Sequence, residues 1–386
     1  MLELWDFIDG KADEMKETLI QMANLESPSS DKDGVDQVCS YIDNFCKNIG
    51  METEVIHCDT AGNSFSAVFN KESKKKEIVL MGHMDTVHPV GAFGTQPVKV
   101  VDDIIYGPGV YDCKGGLVIA MYVCMALKKF GYKDRPIRLL FSGDEEVGHK
   151  DNQKGKDIYL SLKGKADAAL NCESGLINNG VVTGRKGGAG MKMIITGVAA
   201  HSGVALEKGR SAIREAAYKV IEIESHTDYS GTTYNCGTIN GGKVLNQVPD
   251  HCEIGINMRA TDLHSYEEGL RLLQEIADRN YVEGTSTLLP PPIRTFLPMN
   301  NTEENNKLFS LYQKACQQLQ IEEPHPCVVG GGSDASLTVS VGIPTICAVG
   351  IKGENNHTLQ EYALLSSLPE RAKILSTLIM NYPDSL

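Results

Sequence analysis

The sequence predicts an α/β protein, a mixed and mainly parallel sheet flanked by helices, carrying a smaller α+β insertion. Three observations carry that expectation. Short apolar runs that read as strands alternate with helix-like stretches over residues 1–182. Over residues 183–290 the order becomes β-α-β-β-α-β, the order of a ferredoxin-like unit. The last stretch, 291–386, holds too little apolar sequence for a core of its own, so it is expected to return and complete the first sheet.

In order, Leu4, Phe7, Ile8, Met15, Leu19, Ile20 and Met22 recur near helical spacing. Ser27-Pro28-Ser29-Ser30 breaks that helix, and Ser30 or Asp31 can cap a second one reaching Ile49. Strand-like runs follow at 54–57, 65–69, 78–81 and 98–106; a buried helix is expected over 115–129, then strands at 137–141 and 168–171. In the insertion, Met191–Ile195, Thr232–Ile239, Cys252–Met258 and Tyr281–Leu288 read as strands, and Arg210–Ile223 and Tyr266–Arg279 as helices. Leu289-Pro290-Pro291-Pro292 reads as the exit linker. A helix over 304–319, a glycine loop at 330–333, a strand at 345–349 and a helix over 366–380 complete the chain.

Composition narrows the function. A length of 386 residues accommodates two domains. A net charge of -13 argues against nucleic acid or an anionic membrane as the main partner. No run of about 18 apolar residues predicts a span, and the acidic N-terminal stretch MLELWDFIDGKADEMK lacks the pattern of a signal peptide. The 11 cysteines include no CxxC pair, which suits buried thiols in a reducing cytoplasm and disfavours a cysteine zinc site.

The chain is organised around Glu77–Val87, EIVLMGHMDTV. Its apolar first half reads as a strand buried on both faces, and it stops at Gly82. In open α/β sheets, ligands bind beyond the carboxyl ends of strands. A metal could there be ligated by His83, with Asp85 accepting from the other ring nitrogen. Alone, an HxD pair more often marks a loop with a satisfied histidine. Four further clusters stand at ends or breaks of elements: Asp112 in the glycine-rich GPGVYDCKGG, Glu145-Glu146 after the strand at 137–141, Glu173 after the strand at 168–171, and His357. Asp112 could equally cap the next helix, and an acidic triplet such as Asp144-Glu145-Glu146 is commonly a solvated turn. Together the carboxylates and imidazoles suit Zn²⁺, Co²⁺ or Mn²⁺. Five candidate ligands imply two ions sharing one carboxylate, and one of the two adjacent glutamates would remain free as a base.

The ordered set GHMDTV, GPGVYDCKGG, SGDEEVG, NCESG, AAHSG, GGGSDA and NNHTLQE resembles the M20 family of dinuclear zinc peptidases and deacylases, nearest its glutamate carboxypeptidase branch. The resemblance covers nearly the whole chain. It implies a zinc-peptidase-type catalytic domain (1–182 and 291–386) with an inserted dimerisation, or lid, domain (183–290), hence a homodimer. It further implies two zinc ions, with His83 and Glu173 on one, Glu146 and His357 on the other, and Asp112 bridging. Glu145 would be the general base and Asp85 the support of His83. His201 would cross the dimer to polarise the scissile carbonyl. Arg259 and Asn246 match substrate-binding positions, and Gly331 and Ser333 belong to a loop lining the pocket. Residue 113 is Cys where many relatives carry Asp, and the family's cis peptide falls on Asp112-Cys113. The expected activity is cleavage of peptides or acyl amino acids with a free C-terminal carboxylate. Two alternatives are an N-acyl amino acid deacylase of the acetylornithine or succinyl-diaminopimelate type and a catalytically silent binding relative.

Overall fold

The computed structural model of the chain describes residues 1–150 and 152–386. They form two compact units: Met1–Gly184 with Asn301–Val328 and Ser333–Leu386, and Arg185–Asn300 with Val329–Gly332.

The first unit is built on an eight-stranded sheet. Its order is Glu52–Ile56, Ser64–Phe69, Ile137–Ser142, Glu77–His83, Ala166–Asn171, Thr345–Cys347, Gly180–Arg185, His325–Val329. The middle four strands run parallel. Outside them, Glu52–Ile56 and Ser64–Phe69 are antiparallel, as is Gly180–Arg185 against Thr345–Cys347. The sheet is therefore mixed with a parallel centre, and residues from the end of the chain supply one of its central strands. Glu77–His83 is buried at every position, as expected for an apolar run covered on both faces.

Register sets the site. His83 lies opposite Ser142, and Met81 lies opposite both Leu140 and Asn171. Three parallel strands thus end level with one another, and the residues just beyond them (Asp85, Glu145, Glu173) emerge at the same edge.

Helix Gly115–Lys129 follows Asp112 and is buried on nearly every side. The segment Val110–Lys129 has a mean hydropathy of 1.5, apolar enough to cross a membrane by length and composition, yet 94% of that window is buried. Its side chains join one core with the helices Ala12–Asn24, Lys32–Asn48 and Ser367–Met380. The composition thus reflects a core helix.

A small ribbon of the same unit orders Gly353–Glu354, Tyr362–Leu364, Ile104–Tyr106 and Lys99–Val101. Tyr362 pairs with Tyr106, placing the turn that starts at Gly107 beside the segment that contains His357.

In the second unit, Thr233–Gly241, His251–Ala260, Gly187–Thr196 and Ser286–Leu288 form an antiparallel sheet in that order. Helices Ala212–Ser225 and Leu263–Asp278 complete the ferredoxin-like β-α-β-β-α-β succession. Met193, Ile195, Ile254, Met258, Leu273 and Ile276 pack into a separate core. The three prolines at 290–292 do not end this unit. Arg294–Phe296 pairs antiparallel with Gly187–Thr196, and the unit runs on to Asn300. Val329–Gly332 also belongs here, and Arg185 Nη1 donates to the Gly331 carbonyl at 3.1 Å and the Gly332 carbonyl at 3.3 Å.

Candidate active site

His83 is the buried last residue of its strand. Nδ1 contacts the Asp85 backbone carbonyl at 2.9 Å, and the Asp85 carboxylate is farther off at 3.4 Å. The ring is therefore oriented chiefly by a main-chain oxygen, a change from the carboxylate contact expected. Nδ1 donates to that carbonyl, which turns Nε2 toward the carboxylates of the cluster. Nε2 faces Asp112 Oδ1 at 3.1 Å and Glu173 Oε1 at 3.8 Å.

Asp112 stands at the centre of the cluster. Its Oδ1 faces His83, while Oδ2 faces His357 Nε2 at 3.3 Å and accepts from Asn356 Nδ2 at 3.0 Å. One carboxylate thus offers one oxygen to each imidazole. The Asp112-Cys113 peptide is cis, at the position the resemblance implied. His357 Nε2 also faces Glu146 Oε2 at 3.3 Å. His357 sits in a turn with a φ of 61°, a left-handed conformation uncommon outside glycine.

Glu145 and Glu146 open a single 3-10 turn just after the strand Ile137–Ser142, and both are buried. The Asp85 carboxylate fixes that turn: Oδ1 accepts from Glu145 N and Oδ2 from Glu146 N, each at 3.1 Å. Ser29 Oγ donates to Asp85 Oδ2 at 2.6 Å. Ser333 Oγ donates to Glu173 Oε1 at 3.3 Å and accepts from Asn171 Nδ2 at 2.7 Å.

Charge follows from burial. Burial and the nearby carboxylates of Glu173, Asp334 and Glu146 push the Glu145 carboxyl well above the usual range, against the opposing pull of His83. Burial likewise raises Glu146, although its hydrogen bond with His357 opposes the rise. Burial alone would raise Asp112, but hydrogen bonds from His357 and His83 outweigh it and hold this carboxyl far below normal. Hydrogen bonds to Asp112 and Glu146 push His357 up to about 10.

Five buried carboxylates (Asp85, Asp112, Glu145, Glu146 and Glu173) converge with two imidazoles, an arrangement that calls for cations. His83, Asp112 and Glu146 each offer a ligand atom within 4.8 Å of the others, and so do His83, Glu145 and Glu173. The donor set of imidazole nitrogens and carboxylate oxygens fits a divalent metal such as zinc.

His201, Asn246, Arg259 and Gly331 are in the second unit, and Ser333 is in the first. His201 lies on the two-residue strand Ala200–His201 opposite Gln247, and Ser202 N donates to the Asn246 carbonyl at 3.0 Å. His201 and Asn246 are thus neighbours on one exposed arm. Arg259 stands opposite Gly188, and its Nε donates to Asn257 Oδ1 at 3.1 Å.

Three polar residues were not singled out from the sequence. Glu361, 1% exposed, contacts His88 and the loop around Asp112. His149 bridges Asp144 Oδ1 at 2.7 Å and Asp334 Oδ1 at 2.6 Å, and Ser142 Oγ donates to Asp334 Oδ2 at 2.7 Å. Glu361 and Asp334 fall inside NNHTLQE and GGGSDA, so motif membership was the available signal.

The sequence matches the profile of peptidase family M20/M25/M40 over residues 79–381. Carboxypeptidase G2 of Pseudomonas sp. (strain RS-16) is 28% identical over 378 residues, covering 94% of this chain and 88% of that protein. Succinyl-diaminopimelate desuccinylase of Rickettsia felis (strain ATCC VR-1525 / URRWXCal2) is 26% identical over 388 residues, covering 94% and 98%. In fold the chain is similar to aminopeptidase PepT from Bacillus cereus ATCC 10987, with a TM-score of 0.76 at 23% identity over 95% of this chain and 98% of that one. The chain belongs to peptidase family M20/M25/M40, and it is an enzyme of the metallopeptidase or amidohydrolase kind.

Proposed function

We propose that the chain is a carboxypeptidase of glutamate carboxypeptidase type, cleaving small peptides or acyl amino acids that keep a free C-terminal carboxylate. The carrying observation is Glu145. It is a buried carboxyl with raised proton affinity, on a turn pinned by Asp85, beside His83 and Glu173.

His83 and Glu173 would hold one zinc ion, Glu146 and His357 the other, with Asp112 between them. Co²⁺ or Mn²⁺ would suit the same donors. Bound there, the two ions would supply an acidified water and polarise the substrate carbonyl. Glu145 takes the proton of the attacking water and returns it to the leaving amine, a role served by a carboxyl whose affinity for protons burial has raised. Nδ1 of His201 accepts from Gly203 N at 3.2 Å, so Nε2 carries the hydrogen in the neutral ring and can donate to the developing oxyanion. Arg259 and Asn246 would engage the substrate carboxylate and carbonyl, and the loop of Gly331 and Ser333 would line the pocket.

The second unit, residues 183–290 in the sequence-based division, would form a homodimer. The Thr233–Gly241 strand ends its sheet, and Ile221, Tyr229 and Ile239 are exposed on this unit. Among the described residues no cysteine forms a disulfide, which favours a cytoplasmic location.

An N-acyl amino acid deacylase is the second reading. The Rickettsia felis desuccinylase supports it, since it covers the same 94% of this chain as carboxypeptidase G2 and more of its own length, 98% against 88%. Product release by mass spectrometry from zinc- or cobalt-loaded protein separates the two. Turnover of dipeptides and acyl-glutamates is expected; a preference for N-acetyl or N-succinyl amino acids would move the protein to the deacylases.

A further inference from the structure

We propose that Glu361 is a positioning residue that presets Asp112 and His357 for a shared metal ion. The inference rests on the reading of these two as ligands of one ion.

Glu361 is buried, and its carboxylate gathers four contacts. Oε1 accepts from Tyr111 N at 2.9 Å and Asp112 N at 3.0 Å; Oε2 accepts from Gly109 N at 3.3 Å and meets His88 Nε2 at 3.0 Å. A carboxylate has about four acceptor positions, so all are engaged. Three amides of one loop aimed at one anion act as a backbone nest, here filled by a side chain from the far end of the chain. The nest includes the main-chain N–H of Asp112 itself, so Glu361 fixes the residue whose two oxygens face His83 and His357.

The same residue fixes His357. Glu361 N donates to the Thr358 carbonyl at 3.2 Å, and Thr358 N to the Asn355 carbonyl at 3.2 Å, so a compact turn joins it to His357. Just after Glu361, Tyr362 pairs with Tyr106, immediately before the loop that the carboxylate holds. A single ladder therefore aligns both partners, and the carboxylate locks the distance from Asp112 to His357. Residues that orient a ligand in this manner change metal affinity by about 10–100-fold when altered.

Glu361→Gln places an amide NH₂ against loop N–H donors and leaves one oxygen to accept. Glu361→Asp keeps the charge but withdraws it by one methylene. The full chain, stripped and then titrated with Zn²⁺ against a competing chromophoric chelator, reads each ion's affinity; Co²⁺ absorption reads the ligand geometry. Wild type is expected to hold two ions. Glu361→Gln should weaken the two ions unequally, the one on Glu146 and His357 by about 10–100-fold and the one on His83 and Glu173 by less, with an altered Co²⁺ spectrum, and Glu361→Asp should lie between. Retention of both native affinities by folded Glu361→Gln overturns the proposal. Where that variant does not fold, native affinity for both ions in Glu361→Asp overturns it equally. Failure of both variants to fold, or equal weakening of both ions, would make Glu361 a general determinant of the fold and also overturns it. Wild type holding fewer than two ions would overturn the two-ion reading itself, whatever the variants do.

Discussion

The carboxylate of Asp85 accepts the backbone N–H of Glu145 at 3.1 Å, and its second oxygen accepts that of Glu146 at the same distance. The two glutamates with opposite proposed duties, base and ligand, are thus presented by one acidic side chain. Replacing it by Ala leaves two buried N–H groups without their acceptor, each costing about 1–3 kcal/mol. Asp85→Ala is expected to lower kcat/KM by about 10–100-fold and to lower Tm. Steady-state rates and calorimetry check both, and an unchanged rate would remove Asp85 from the machinery.

Glu145 and Glu146 should separate cleanly by substitution. Glu145→Ala should retain two metal ions and lose nearly all turnover, because it removes the proton carrier but no proposed ligand. Glu146→Ala should instead lose one ion, since its Oε2 is the oxygen facing His357. Elemental analysis beside a rate assay distinguishes the pair, and full turnover by Glu145→Ala would end the general-base assignment.

What the sequence made legible followed from local chemistry. His83, Glu145 and Glu173 each follow an apolar run that stops abruptly, and strand ends can be read from a window of a few residues. The roles of His201, Asn246 and Arg259 came only through resemblance, because an exposed histidine on a two-residue strand has no periodic signature. Glu361 escaped for a different reason. Its partners are backbone amides about 250 positions earlier, and a main-chain donor leaves no trace in residue type. The prolines at 290–292 misplaced an exit because Pro stops pairing only where an N–H is needed; the chain resumes its sheet at Arg294–Phe296.

His149 gives a prediction in pH. Burial would lower its pKa, but Asp334 and Asp144 outweigh that and raise it well above 6.5. Burial would raise Asp334, but the charge and hydrogen bond of His149 dominate and bring it below 3.8. The raised group contributes fully below 6.5 and loses its contribution as pH climbs toward its folded value. The lowered group contributes above 3.8 and loses its contribution as pH falls through its folded value. The pair is therefore strongest between these limits. In chelator-treated protein, the Tm gap between wild type and His149→Gln should be widest from pH about 4 to 6.5 and shrink above that. A gap that widens toward pH 8 would show the imidazole to be neutral in the fold.

His201 provides the sharpest test of the proposed dimer. Its Nδ1 is occupied by the Gly203 N–H, so Nε2 is the nitrogen left to meet a substrate. His201→Ala should keep its metal and lose about 10²–10³ in kcat, the usual cost of one oxyanion donor. A change confined to KM would assign it to binding instead. Mixing decides whose site it serves. If His201 acts in the partner's site, a heterodimer of His201→Ala with Glu145→Ala carries both defects in one site and none in the other. Equal mixing with subunit exchange then yields about a quarter of the wild-type sites from two nearly inactive proteins. If His201 acts within its own chain, every site keeps one defect and mixing restores nothing. Activity recorded before and after exchange, together with a light-scattering mass, reads the answer directly.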